Sequence, residues 1–362
     1  MRNKDSCSSQ NIGSDSIVIP HEAGVNSYLS ELAVGLKGRG YGVRFCPQMP
    51  DISNGETLWV HWPEQLTNYR IPTDKELSEI EKWLKAAYKS SVVIWTIHNL
   101  YRHGSPDNKG FNTLYELVAE YSHIHVHHGR SSIGKVKKRY PNAKPIITKI
   151  INHGGYWNLI GPLRQKEARL KLNLKIKTGD RVVLVFGSIR TSEEYLLVSQ
   201  VARLKGIKLV IAGRLPYIRL RHRAAIFFNK LFYKNSILIV SGMIDEKDID
   251  KFLKACDVVF IPRVDGLNSG NVFLGFTFSR VVVGPDVGNI GEILRKTNNF
   301  VYNPSRKSTI KDAFNLRNFQ SIISQGAANY KWLDSNCRWE DYAISVVDAI
   351  NSVKSNGVES IK

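Results

Sequence analysis

Short unbroken apolar runs alternate along the chain with stretches whose apolar residues recur every three or four positions, a pattern that predicts strands joined by helices. Residues 57–60, 91–97, 124–127 and 145–151 are strand-like, and 91–97 is a β-branched run of the kind buried on both faces of a parallel sheet. Between them, 74–90 places Leu77, Ile80, Leu84 and Ala87 on one helical face behind Asp74 as N-cap, and 111–121 and 131–140 read as further helices. A second series starts at 181–187 and continues with strands at 207–212, 236–240, 257–261 and 281–283. Helices are expected at 192–205, 216–233, 246–255 and 271–278, and one terminal amphipathic helix over 332–353 uses Trp339, Ala343, Val346, Val347 and Ile350.

The Lys- and Arg-rich stretch 158–180, with Gly161-Pro162 inside it, marks a boundary. The expected organisation is a Rossmann-like domain over 1–160, a linker at 161–180, a second Rossmann-like domain over 181–335, and a tail at 336–362 that crosses back to the first domain. The fold class is therefore α/β, with two doubly wound domains facing each other across a cleft at the carboxyl ends of their strands.

Composition agrees with two globular domains: 362 residues, 43% hydrophobic and 23% charged, which excludes disorder, collagen and coiled coil. No run approaches the ~20 apolar residues of a spanning helix, and the polar opening 1–15 lacks a signal-peptide core, so a cytoplasmic protein is expected. Cys7, Cys46, Cys256 and Cys337 lie far apart without metal spacing and read as reduced. Charge changes the picture more. Residues 1–160 hold 19 basic against 14 acidic side chains, and 161–362 hold 32 against 18, so the excess of positive charge belongs to the second half. Nucleic acid, an acidic membrane surface and a phosphorylated small molecule are all compatible partners.

Candidate chemistry gathers at strand ends. In Pro262-Arg-Val-Asp-Gly-Leu-Asn-Ser-Gly-Asn271, Asn268 or Ser269 can cap the following helix, and Gly270 lets an anion approach backbone N–H groups beside Asn271. Gly284-Pro-Asp-Val-Gly-Asn-Ile-Gly-Glu292 is a second strand end, with Glu292 expected in the first helical turn. In Phe186-Gly-Ser-Ile-Arg190, Gly187 ends a strand and Arg190 stands over the same edge, where a cation neutralises phosphate. Nine of ten histidines precede residue 154, and His98-Asn99, His127-His128 and His153-Gly154 each follow a strand, as does His61-Trp62-Pro63-Glu64. One or two of these histidines suit binding or deprotonation of a polar substrate; metal spacing such as HExxH is missing. The chain also lacks GxxxxGK[ST], GxSxG and GxGxxG, which removes support from NTPase, hydrolase and nicotinamide-dehydrogenase readings.

Taken in order, His61-Trp62-Pro63, Trp95-Thr-Ile-His98-Asn99, His153-Gly-Gly-Tyr156, Phe186-Gly-Ser-Ile-Arg190, Ile211-Ala-Gly213, Ala255-Cys-Asp257, Asn268-Ser-Gly270 and Gly288-Asn-Ile-Gly-Glu292 resemble bacterial GT-B glycosyltransferases of family 4 and their mannosyltransferase-like relatives in exopolysaccharide assembly. The resemblance implies hexose transfer from a nucleotide diphosphate sugar to a glycan or lipid-linked saccharide acceptor in cell-surface polysaccharide synthesis, with no metal and no cofactor beyond the donor. It places Gly187, Arg190, Gly213, Asn268, Ser269, Gly270, Asn271 and Glu292 at the donor, and Gly24, Asn99, His128 and His153 at the acceptor. His98 would lie beside the transferred sugar, Arg190 at the departing diphosphate, and Glu64, His98 and His128 are the candidate bases should the reaction invert configuration.

Departures accompany the likeness. Gly266 and Leu274 stand where the family carries a glutamate pair, and Glu193 stands where it carries a lysine after the arginine. A nucleotide-sugar-binding relative without activity, a sugar-nucleotide epimerase and a basic nucleic-acid-binding protein are the competing readings, although no nucleic-acid partner is expected of a glycosyltransferase. The basic, aromatic segment 214–234 and the cluster Lys135, Lys137, Lys138 and Arg139 fit transient contact with an anionic membrane, on the inner face of the cytoplasmic membrane.

Overall fold

The apolar runs fold as parallel strands and the periodic stretches as the helices that return the chain between them. A computed structural model describes residues 15–24, 26–215, 237–306, 308–315 and 319–355. The chain divides into two compact units, residues 1–154 with 337–362, and residues 155–336.

Unit 1 contains β1 (Ser16–Ile19), α1 (Ser27–Lys37), β2 (Gly42–Phe45), β3 (Thr57–Val60), α2 (Asp74–Ser90), β4 (Val92–Thr96), α3 (Lys109–Glu120), β5 (Ile124–His127), α4 (Ser131–Arg139) and β6 (Ile147–Ile150), together with a terminal helix, Trp339–Ser355. Its sheet runs β2-β1-β3-β4-β5-β6, every pair parallel. Every residue of β1, β3, β4 and β5 is buried, as continuous β-branched and aromatic strands covered on both faces must be. α2 spans 74–90 as expected, but its N-cap is not Asp74. Thr73 is the N-cap: its Oγ1 accepts the Glu76 N–H and the Glu76 carboxylate accepts the Thr73 N–H, a reciprocal pair that Asp74 could not make. The terminal helix packs so closely on α1 that a Cβ at Gly35 would lie 2.7 Å from the Trp339 carbonyl oxygen.

Unit 2 contains α5 (Gln165–Lys171), β7 (Arg181–Phe186), α6 (Ser192–Ala202), β8 (Ile207–Gly213), β9 (Ile237–Ser241), α7 (Glu246–Ala255), β10 (Val258–Phe260), α8 (Gly270–Thr277), β11 (Val281–Pro285), α9 (Gly288–Lys296), β12 (Phe300–Tyr302), α10 (Thr309–Ala313) and α11 (Phe319–Asn336). The strand order is β12-β11-β10-β7-β8-β9, again all parallel. Val182, Val183, Val258, Phe260 and Val281 are fully buried, each side chain contributing about 1.5–3 kcal/mol over its exposed state.

Three expectations change. The stretch read as a linker carries α5, which is tied to the sheet: Arg169 pairs with Asp257 at 2.8 Å and donates to the Ala255 carbonyl, while Asp257 also accepts the Val182 N–H. The single tail helix over 332–353 is two helices, because α11 ends at Asn336, with Asn336 turned back onto the Trp332 carbonyl, and a new helix starts at Trp339 in unit 1. Cys256 and Cys337 are buried thiols outside any disulfide, whereas Cys46 is disulfide-bonded; sequence spacing does not reveal which Cβ atoms a fold brings within bonding reach. The helix expected at 216–233, and with it most of the basic segment, lies outside the described residues. Among the described residues no helix is long and apolar enough to cross a membrane.

Candidate functional site

In unit 1, β1, β3, β4, β5 and β6 are consecutive neighbours, and each is followed within three residues by a histidine: His21, His61, His98, His128 and His153. A parallel sheet sends all its carboxyl ends to one edge, so five histidines line up there. All are buried. At their centre stands Tyr28, near the start of α1, whose ring lies 4.8 Å from His153, 5.0 Å from His98, 5.5 Å from His61 and 6.0 Å from His128. The terminal helix closes the cluster with Trp339, 5.0 Å from the Tyr28 ring, and with Tyr342, whose hydroxyl is 3.0 Å from that of Tyr28. Trp62 stacks on His98 at 4.5 Å and an interplanar angle of 13°.

His61, His98, His128 and His153 carry no charge at neutral pH. Burial, and then neighbouring histidines, hold His61 and His98 well below the ordinary imidazole range; burial brings His128 to about 4, and burial with His128 brings His153 to about 3. His61 Nδ1 lies 3.2 Å from His98 Nε2, His128 Nδ1 donates to the Ile151 carbonyl, and His153 Nδ1 to the Gly154 carbonyl. Nε2 of His61 and Nε2 of His128 are buried without a hydrogen-bond partner, which leaves two polar atoms able to meet a hydroxyl. Among the described residues no three His, Cys, Asp or Glu side chains are arranged to hold a metal ion.

The structure thus groups His98, His128 and His153, with ring separations of 5.2 Å and 5.3 Å along that series, and Asn99 is buried next to His98. Gly24 is exposed between β1 and α1 at φ +71°. Glu64 is placed elsewhere. It is buried in a 3-10 turn, accepts a 2.7 Å hydrogen bond from the Tyr115 hydroxyl of α3 and has Arg102 as its charge neighbour; burial raises its pKa. Sequence adjacency to His61 pointed to the histidines, but the turn at Pro63 sends the carboxylate toward α3.

In unit 2 the candidate residues occupy the carboxyl ends of four neighbouring strands, β11, β10, β7 and β8. Gly187 and Gly213 end β7 and β8 at φ +88° and +149°, and a Cβ on Gly213 would strike the Gly187 carbonyl, so this edge requires glycine. Arg190 is exposed just before α6. Its guanidinium is pushed down to about 10 by desolvation and the nearby Arg263, with Glu194 opposing, and stays charged at neutral pH. Asn271 donates to the Phe186 carbonyl at 2.7 Å, tying α8 to the end of β7. Ser269 occupies the N-cap of α8 but makes no side-chain cap bond, and α9 likewise begins without one. Neither helix start therefore has its N–H groups satisfied by its N-cap side chain, as the Asn268 or Ser269 cap expected from sequence would have done. Asn268 instead accepts from Asn289 at 2.8 Å, joining the loops after β10 and β11. Because α9 starts at Gly288, Glu292 falls in its second turn rather than its first.

Sequence reading missed two groups. Tyr28 and Tyr342 meet across 314 residues, a distance no local pattern reports. Arg263 and Glu194 form a buried ion pair at 2.9 Å; an arginine three residues past a buried strand was the available signal.

No protein-family model matches the chain, and comparison with curated proteins finds no match. Among solved structures it is similar to sucrose-phosphate synthase from Thermosynechococcus elongatus, with a TM-score of 0.67 at 14% identity over 95% of this chain and 100% of that one. It is similar to HepE from Anabaena in complex with UDP, TM-score 0.63 at 11% identity over 93% and 100%. The catalytic domain of starch synthase IV from Arabidopsis thaliana, bound to ADP and acarbose, gives 0.63 at 9% over 93% and 98%. These likenesses establish the fold: two parallel six-stranded sheets with interleaved helices, as in GT-B glycosyltransferases.

Proposed function

We propose that this chain is a glycosyltransferase that takes a hexose from a nucleotide diphosphate sugar held by unit 2 and transfers it to a saccharide or lipid-linked saccharide held at the histidine edge of unit 1. The observation that carries the reading is the convergence, at four adjacent strand ends of unit 2, of Arg190, the open Gly187, and helix starts whose N-cap side chains make no bond to them. Cation and aligned N–H dipoles stabilise the charge that develops on a departing diphosphate, the part a divalent ion has in other transferases. That HepE is solved with UDP and starch synthase IV with ADP supports a nucleotide donor here. In unit 1, His98 and His128 are neutral and therefore able to hydrogen-bond to a sugar hydroxyl. A role in cell-surface polysaccharide synthesis, at an anionic membrane, fits the positive charge.

A melting panel with UDP, ADP, GDP and a DNA oligonucleotide tests this. A nucleotide at a hundredfold excess over Kd adds about 2.7 kcal/mol to the unit that binds it. One nucleotide is expected to stabilise the protein, and Arg190→Ala to weaken it about tenfold to a hundredfold, the value of a charge-assisted hydrogen bond. Response to DNA alone, fading with salt, overturns the reading. Nucleotide binding with neither transfer nor hydrolysis of any sugar donor would identify a binding protein without activity.

A further inference from the structure

Resting on the donor-site reading of unit 2, we propose that the buried Arg263–Glu194 pair is a positioning device that holds Arg190 where it meets the diphosphate. One oxygen of Glu194 does two things: Oε2 accepts Nη1–H of Arg263 at 2.9 Å and the backbone N–H of Arg190 at 2.6 Å. The other amino group of Arg263, Nη2, donates to the Ser188 carbonyl at 3.1 Å. The planar guanidinium therefore clasps the turn after β7 from both sides, by its carbonyl at 188 and, through Glu194, by its N–H at 190. A lysine cannot span both partners, because its ammonium is a point charge rather than a fork.

The clasp is itself anchored. The Tyr302 hydroxyl lies 2.9 Å from the carbonyl oxygens of both Ile261 and Arg263, which fixes the backbone from which Arg263 extends. On the far side, the Ile189 N–H donates to the Arg214 carbonyl beyond β8 at 2.9 Å. The turn that carries Arg190 starts at a glycine with positive φ and has no regular structure of its own. Its shape is set by these ties, and Arg263 and Glu194 are buried while Arg190 is exposed. The pair is neutral as a unit, so its removal leaves the net charge of the edge unchanged.

That neutrality gives the test. A buried ion pair replaced by apolar side chains of similar volume often folds as well as before, so E194M/R263M separates positioning from mere stability. Nucleoside diphosphate and monophosphate affinities are measured for wild type, Arg190→Ala and E194M/R263M, with melting curves in parallel. The double variant is expected to melt near wild type, to bind the diphosphate about tenfold more weakly, and to leave the monophosphate almost unchanged, because what is lost is the placing of one charged donor. Unaltered preference for the diphosphate in a folded double variant overturns the proposal. Should that variant not fold, Arg263→Lys keeps the buried charge paired yet cannot clasp the turn; a several-fold loss confined to the diphosphate supports the proposal, and wild-type affinity overturns it. Failure of wild type to bind any nucleotide strikes the donor reading itself and is seen before either variant is made.

Discussion

The two units use one architecture, a six-stranded parallel sheet, and furnish its carboxyl edge in opposite ways. Unit 1 fills the edge with histidines and aromatic rings that are buried and uncharged; unit 2 leaves glycine, exposed arginine and helix starts. The difference teaches that topology supplies the place and side-chain chemistry the ligand: under the proposed function one edge would take hydroxyl groups and the other a phosphate.

Acid breaks the comparison most strongly. Burial is the leading cause that lowers His61, His98, His123, His125, His127, His128 and His153, all in unit 1, and the five with values sit at about 3 to 4. An unfolded chain protonates its histidines near 6.5, so between about pH 6.5 and 4 the unfolded state binds more protons and stability falls as pH falls. At up to about 1.4 kcal/mol per group and pH unit, unit 1 should lose several kcal/mol by pH 5. Amide hydrogen exchange at pH 7 and pH 5, corrected for intrinsic rates, should show protection lost in β3–β6 before β7–β11. Equal losses in both sheets would refute the contrast.

Tyr28→Ala comes next. Emptying the centre of the histidine cluster should cost unit 1 about 3–5 kcal/mol, read by denaturant unfolding, with nucleotide affinity of unit 2 intact; a parallel fall in nucleotide affinity would show that the two edges are not independent. Smaller still is the effect expected at the membrane. Lys137 and Lys138 on α4 are exposed, and near an anionic surface each contributes about 1 kcal/mol. If the proposed membrane contact runs through α4, K137E/K138E should reduce recovery on anionic vesicles in low-salt flotation, and unchanged recovery would count against that contact.

Much of this was legible in the sequence where one segment decides its own state. The apolar runs at 57–60 and 124–127 and the amphipathic 246–255 fold within the bounds their patterns predict, since burial of a continuous run or of one helical face is a local signal. Partner choice was not legible. Glu64 reads as a neighbour of His61 and is held by Tyr115, 51 residues away; Arg263 reads as a loop residue and is half of a pair with Glu194, 69 residues away. The gathering of histidines at one edge was visible because parallel strands place their ends together, whereas Tyr28, Trp339 and Tyr342 reach the same spot from helices whose docking no periodicity encodes.

The return of the terminal helix to unit 1 sets an order of assembly. Tyr28 leaves the ribosome among the first residues of its unit, yet Trp339 and Tyr342, which complete its surroundings, emerge only after all of unit 2. During synthesis unit 2 can fold on its own contacts while unit 1 waits, its histidine edge open, until a loop of more than three hundred residues closes. Moving that helix ahead of β1 by circular permutation would turn this contact across 314 residues into a short one and let the two halves mature in the order in which they are written.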